Sequence, residues 1–305
     1  MEKPKILGIV GPTASGKTAL GFALAEVRPI EIVCMDSMQV YKGMDIGTAK
    51  PSKEEQALIP HHMLDVAEPE DEYSVAEYLQ GASAAIEGIL SRNRLPVLIG
   101  GTGLYLRALS QGLTLGGTPK DEAVRARYEA LLAEEGQGCL HRKLQEVDPG
   151  AAARLHPNDT RRVIRALEVY EVTGRPFSGQ KPREEDAPFD IRLFAPGWPR
   201  ETLYARVDQR AHAMVRGGLL DEVRALLDRG VSEQAQSMQG LGYKELIPCI
   251  KGEADLARCE ELLKRRTRNY AKRQLTWLRP DPRIRWLEPE GMVRQFLTMI
   301  REDLA

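Results

Sequence analysis

Cysteine is scarce in this chain, and the four present (Cys34, Cys139, Cys249 and Cys259) contain no C-x-x-C pair. Such spacing predicts neither a zinc module nor a disulfide framework and reads as the reduced thiols of a cytoplasmic protein. Long hydrophobic runs are also missing. The first apolar stretch begins at Ile6, behind Lys3 and Lys5, and stops within five residues, too short for a signal sequence or a membrane span. Neither sign of charge is in excess: Lys and Arg total 43 against 44 Asp and Glu. A nucleic-acid partner therefore has to be met by a local patch. What remains is ordinary globular composition, 42% hydrophobic over 305 residues, which is ample for a buried core and excludes bulk disorder. At about 150 residues per domain, a core with a second, smaller domain is expected.

The pattern along the chain is strand, glycine loop, helix. KILGIV (5–10) is followed by Gly11-Pro12-Thr13-Ala14-Ser15-Gly16-Lys17-Thr18 and then by the helix former ALGFALAEV. Further strands are predicted at 30–35, ending at Asp36, and at 95–99, ending in Gly100-Gly101-Thr102-Gly103, with an amphipathic helix over 74–90 between them. Strands alternating with helices imply an α/β fold, here a P-loop parallel-sheet core with its functional loops at the carboxyl edge. The alternation stops over 118–188, where charged helical segments and the polar GQKPREEDAP predict a helical insertion domain inside a core of 1–117 and 189–305. After it come a strand at 190–195, one long helix around 203–227, a glycine turn at 240–242, a basic helix over 260–278 and a last strand at 284–287.

Residues 11–18 fit G-x-x-x-x-G-K-[ST] in the required strand-to-helix context. Glycines let successive N–H groups turn onto phosphate oxygens, and the helix N-terminus adds its partial positive charge. Lys17 supplies a cation and Thr18 a hydroxyl for Mg²⁺. The loop suits a nucleotide or any other diphosphate. The third strand, however, ends in Gly-Gly-Thr, where a P-loop NTPase would hold Mg²⁺ with an Asp. The first carboxylate at a strand end is Asp36, a candidate general base, or alternatively a cap or an outer-sphere partner of Mg²⁺.

Between Lys264 and Arg285 stand nine basic residues against the single acid Asp281. On a helix Arg265, Arg268, Lys272 and Arg279 share one stripe, with Leu263, Tyr270, Ala271 and Leu278 broadly opposite. Arg161, Arg162 and Arg165 repeat the theme in the insertion, while Val163, Ile164 and Leu167 point elsewhere. Two such patches predict phosphate-backbone contact and a nucleic-acid substrate, with a plain solvated face as the alternative. His61-His62 beside Asp65 is read as a packed or capping pair rather than a metal site. Tyr105, Tyr243 and Trp277, all in helical contexts, are expected to be buried.

Together GPTASGKT, DSMQVYKGMDIGTAKP, HHMLD, GGTGLYLRAL, NDTRRVIRALEV, MQGLGYKEL and RNYAKRQLTWLR, which span roughly 5–290 in this order, resemble the tRNA dimethylallyltransferases, also called tRNA isopentenyltransferases. No Cys/His finger follows them within the 305 residues, so the likeness is to the short, bacterial type. The resemblance implies prenylation of the exocyclic N6 amine of the adenosine just 3′ of the anticodon in tRNA. The donor would be dimethylallyl diphosphate, bound at Gly11, Pro12, Thr13, Ala14, Ser15, Gly16, Lys17 and Thr18, with Arg210 as a further ligand and Mg²⁺ as cofactor. It further implies that Asp36, Ser37, Met38 and Gln39 hold the target base, with Asp36 as general base, and that Thr102 touches the bridging oxygen of the leaving diphosphate. Contacts to tRNA are implied for Arg125, for Arg161, Arg162, Val163, Ile164 and Arg165, and for the turn Met238, Gln239, Gly240, Leu241, Gly242 and Tyr243. A monomer without membrane association is expected. A P-loop kinase and a non-enzymatic, nucleotide-gated RNA-binding protein are the rival readings of the same loop.

Overall fold

In a computed structural model, which describes residues 3–111, 120–179 and 187–303, the five expected strands form and a short one is added. The expected ones are β1 (Lys5–Val10), β2 (Ile30–Met35), β4 (Leu95–Gly100), β5 (Asp190–Pro196) and β6 (Ile284–Leu287), and the addition is β3 (His61–His62). They form one parallel sheet in the order β3-β2-β4-β1-β5-β6, with Leu7 opposite Val97 on one side and Arg192 on the other. β2 and β4 are buried along their whole length, as expected of central strands covered on both faces. Because every strand runs the same way, residues 11–18, Asp36 and Thr102 all emerge at one edge.

The chain divides into two compact units, Met1–Leu106 with Phe189–Ala305, and Arg107–Pro188. In the first, α1 (Lys17–Ala25) packs Leu20 and Leu24 on the sheet residues Leu7, Ile9, Ile32 and Val97, and α13 (Met292–Asp303) adds Phe296 and Ile300 to the same core. The short α2 (Lys53–Leu58) and α3 (Val75–Ser91) both begin at capping boxes, Ser52 with Glu55 and Ser74 with Glu77. The single helix expected at 203–227 is two: α9 (Arg200–Arg216) and α10 (Leu219–Asp228). The break falls at Gly217-Gly218, where Gly218 takes φ 102°, a conformation glycine adopts without a Cβ clash. The glycine turn is followed by α11 (Tyr243–Ile250), and the basic helix begins earlier than expected, as α12 (Leu256–Leu278), because Asp255 caps it.

Helix α4 (Gly103–Gln111) runs through the division after Leu106. The boundary expected at 117/118 and most of the polar stretch near 180–186 lie outside the described residues. The second unit holds α5 (Glu122–Glu135), α6 (Gln137–Val147), α7 (Pro149–Ala152) and α8 (Thr160–Thr173) around Leu140, Leu144, Val163, Ile164 and Leu167. Its described residues include no strand. Among the described residues no helix is long and apolar enough to cross a membrane.

Candidate active site

The loop after β1 is shaped by backbone strain at three points, with φ 153° at Gly11, 62° at Ala14 and 90° at Gly16. Ala14 sits in a region that a residue with a Cβ enters rarely. The strain is held in place: Arg206 Nε donates to the Ala14 carbonyl at 2.8 Å, Trp198 Nε1 donates to the Ser15 carbonyl at 2.8 Å, and Arg206 stacks over the Trp198 ring. Beneath it Ala14 packs on Leu203, Val207 and Ala271. Lys17 folds back to donate to the Pro12 carbonyl at 2.8 Å. Burial, reinforced by the charge of Arg210, lowers its ammonium to about 8, against the pull of Asp36 and Cys34. Ala14, Ser15, Gly16, Lys17 and Thr18, with Arg206 and Arg210, line an open cavity of about 470 Å³.

A second cavity, of about 260 Å³, adjoins through Thr13 and Arg210 and is lined by Asp36, Ser37 and Met38, by the 239–241 turn and by Tyr270 and Arg273. Asp36 Oδ1 accepts from the Met38 N–H at 2.9 Å, a local turn that fixes the carboxylate at the end of β2. Thr102 Oγ1 accepts from the Ser37 N–H at 3.1 Å and its side chain also bonds Tyr270, so Thr102 stands behind the cavity walls rather than lining either cavity. Burial lowers the Arg210 guanidinium while Asp36 raises it. Burial and then the charge of Asp36 raise the Tyr270 phenol, with Thr102 and Arg273 opposing.

Sequence reasoning missed Gln274. Its side chain is buried, accepts from the Thr13 N–H at 2.9 Å and donates to the Gly101 carbonyl at 3.1 Å, so α12 ties the phosphate loop to the loop carrying Thr102. A Cβ at Gly101 would lie 2.2 Å from the Gln274 amide nitrogen, which is why glycine stands there. Tyr270, which the helical pattern places on the apolar face of α12, lines the cavity. Their local string, RNYAKRQLTW, contains no motif that points at phosphate.

Several expected contacts are placed differently. Met238 and Tyr243 are fully buried, so they carry the turn, and Gln239, Gly240 and Leu241 face the cavity. Gly242 lies against Leu219. Gln39 commits its amide to the Thr48 and Ala49 carbonyls and to Cys34. In the second unit Val163 and Ile164 are core residues. Arg125 and Arg165 bind the buried carboxylate of Glu168 at 2.9 and 2.7 Å, whereas Arg161 and Arg162 are exposed. On α12 the basic stripe is divided: Arg268 pairs with Asp208 of α9 at 2.6 Å, while Arg265, Lys272 and Arg279 face outward. Tyr105 is buried, but Trp277 is 42% exposed because it lies over Gly103 at the helix surface. His62 Nε2 meets Glu31 and His61 Nδ1 meets the Ile59 carbonyl, so both rings serve packing at the sheet edge.

A family model described as IPP transferase matches residues 39–281, and one described as Isopentenyl transferase matches residues 4–65. The tRNA dimethylallyltransferase of Pelotomaculum thermopropionicum is 47% identical, over 95% of this chain and 92% of its own. A crystal structure of the tRNA isopentenylpyrophosphate transferase of Bacillus halodurans superposes with a TM-score of 0.74 at 40% identity, covering 99% of this chain and 97% of that one. A eukaryotic dimethylallyltransferase, crystallised in snapshots of its action on tRNA, gives a TM-score of 0.83 at 29% identity over 99% of this chain and 79% of that one.

Proposed function

The chain belongs to the IPP transferase family, and from that premise we infer that it transfers the dimethylallyl group of dimethylallyl diphosphate to the N6 amine of the adenosine 3′ of the tRNA anticodon. The observation that carries this reading is the junction of the two cavities. Arg210 stands at both, and Thr13 of the phosphate loop faces the one that holds Asp36. A diphosphate on the loop thus presents its esterified carbon toward the carboxylate.

The allylic C–O bond ionises readily because the positive charge is delocalised, so the main task is to neutralise the departing diphosphate. Lys17, Arg210 and the loop N–H groups surround that anion. The Thr102 hydroxyl, which accepts from Ser37 and also bonds the Tyr270 side chain in the free protein, would turn its proton to the leaving oxygen once the diphosphate is bound. Adenine's amine is a weak nucleophile, since its lone pair is shared with the ring. As the N–C bond forms, Asp36 takes the amine proton on the oxygen not engaged by Met38, a contribution on the order of 10²- to 10⁴-fold. The base has to leave the anticodon stack to enter so small a cavity.

Mg²⁺ fits the same site. Thr18 is exposed on the phosphate cavity, and its hydroxyl is a hard oxygen donor of the kind Mg²⁺ takes alongside substrate phosphates. Bound there, the ion would add charge neutralisation at the leaving group. A monomer acting in the cytoplasm, where tRNA is modified, completes the proposed reading. Incubation with tRNA, Mg²⁺ and either labelled dimethylallyl diphosphate or labelled ATP tests the reading: label in tRNA from the first donor alone is expected, and phosphate transfer from ATP would replace it with the kinase.

A further inference from the structure

Glu222 of α10 lies outside both cavities, yet its carboxylate gathers four donors. The N–H groups of Asp45, Ile46 and Gly47 reach it at 2.9, 2.8 and 3.1 Å, and the Tyr243 hydroxyl at 2.7 Å. Three consecutive N–H groups converging on one side chain fix a loop as firmly as a helix cap does, and charge makes each bond stronger. The loop so held supplies Gly47 and Thr48 to the cavity wall. The Tyr243 ring lies so close to Gly47 that a Cβ there would come within 2.6 Å. Tyr243 is also the first residue of α11, directly behind the 239–241 turn that forms another wall. A third link closes the frame, because Gly240 rests on the Met38 side chain, leaving 2.5 Å between a Cβ placed there and the Met38 methyl.

We propose that Glu222 is a positioning residue for the acceptor. By tying the 45–47 loop to Tyr243 it fixes the width of the slot in which the target base is presented to Asp36. This rests on the transferase reading above. Neither the phosphate loop nor Arg210 is bonded to Glu222, so the donor half of the site stands apart from the latch. A glutamine at 222 keeps the shape but offers one acceptor oxygen to four donors and turns an NH₂ group toward backbone N–H groups.

The test compares the parent enzyme with Glu222→Gln, and with Tyr243→Phe, which keeps the ring on Gly47 and removes one bond. In Glu222→Gln, kcat at saturating tRNA is expected to fall at least ~10-fold, since a displacement near 1 Å can cost about 10²-fold. The Kd for dimethylallyl diphosphate by calorimetry should stay within about twofold. Tyr243→Phe should move kcat in the same direction by less. An anticodon stem-loop with 2-aminopurine at the target position reads base placement without any transfer step: the parent should change its fluorescence on binding, and Glu222→Gln should return it toward that of the unplaced base. Parental kcat in Glu222→Gln, identical fluorescence in the two proteins, or a parallel loss of donor affinity would overturn the proposal. Absent transfer by the parent would strike the reaction assigned above, and the fluorescence comparison would still decide the latch.

Discussion

Asp36 keeps one carboxylate oxygen in a turn with Met38 and the other toward the cavity, which separates its structural duty from its chemical one. Asn at this position retains the turn acceptor and loses the base. Asp36→Asn is therefore expected to lower kcat at least ~10²-fold with little change in either KM, measured by steady-state prenyl transfer. Lys17 and Thr102 should differ in kind. On the proposed reading Lys17 meets the diphosphate in both ground and transition states, so Lys17→Ala should raise the donor KM as well as lower kcat. Thr102→Ala should lower kcat chiefly, since the proposed reading gives its proton to the leaving oxygen alone. A pure KM effect at Thr102 would reassign it to binding. The phosphate loop and Asp36 were legible in the sequence because each sits in a local string at the end of an apolar strand. Gln274 and Glu222 were not. Their bonds reach 261 and 173 residues along the chain from Gln274 and as many as 177 from Glu222, and nothing local marks such a pairing.

Helix α8 shows how one element divides its arginines between fold and surface. Glu168 is fully buried; burial alone would raise its carboxyl, but bonds from Arg125, Arg165 and the Asp121 N–H hold it below the usual carboxylate range. The stability supplied by a charge so depressed is complete above the ordinary glutamate range and is lost as pH falls through the lowered value. Glu168→Gln should destabilise the second unit at neutral pH, by less than the about 3–5 kcal/mol of a fully buried pair because both arginines keep some water, and the difference from the parent should shrink at acid pH. Hydrogen exchange of the 121–173 amides at the two pH values measures it. Arg161→Ala should leave that exchange unchanged while reducing the slope of log K for tRNA against log salt by about one unit or less. An unaltered slope would return Arg161 to a plain solvated face. At this scale apolar runs announced five strands, most plainly β2 and β4, which are buried along their whole length and so must be nearly continuous in apolar residues. β3 went unseen because two histidines at a sheet edge carry no such run, and the break between α9 and α10 was missed although Gly217-Gly218 marks it, because helical pattern stands on both sides of that pair.

For the molecule as a whole the question is whether donor binding and tRNA recognition can be separated. The cavities, the phosphate loop, Asp36, Thr102 and Gln274 all belong to the unit formed by Met1–Leu106 and Phe189–Ala305. The second unit has its own apolar core, Leu140, Leu144, Val163 and Leu167 among others, and so meets the main condition for packing as a body in its own right. Replacing residues 112–187 with a Gly/Ser linker keeps the whole of α4 (Gly103–Gln111) and begins again at the residues that lead into β5 (Asp190–Pro196). The sheet order β3-β2-β4-β1-β5-β6 uses no strand from the deleted stretch, and the cost of closing a linker grows slowly with its length. The shortened protein is expected to fold, to bind dimethylallyl diphosphate with Mg²⁺ at near-parental affinity in calorimetry, and to lose most of its affinity for the anticodon stem-loop in filter binding. Prenylation of full tRNA at near-parental kcat/KM would refute a role for the second unit in tRNA recognition. Loss of the donor isotherm from a product whose circular dichroism remains native would show instead that the phosphate site depends on the unit removed.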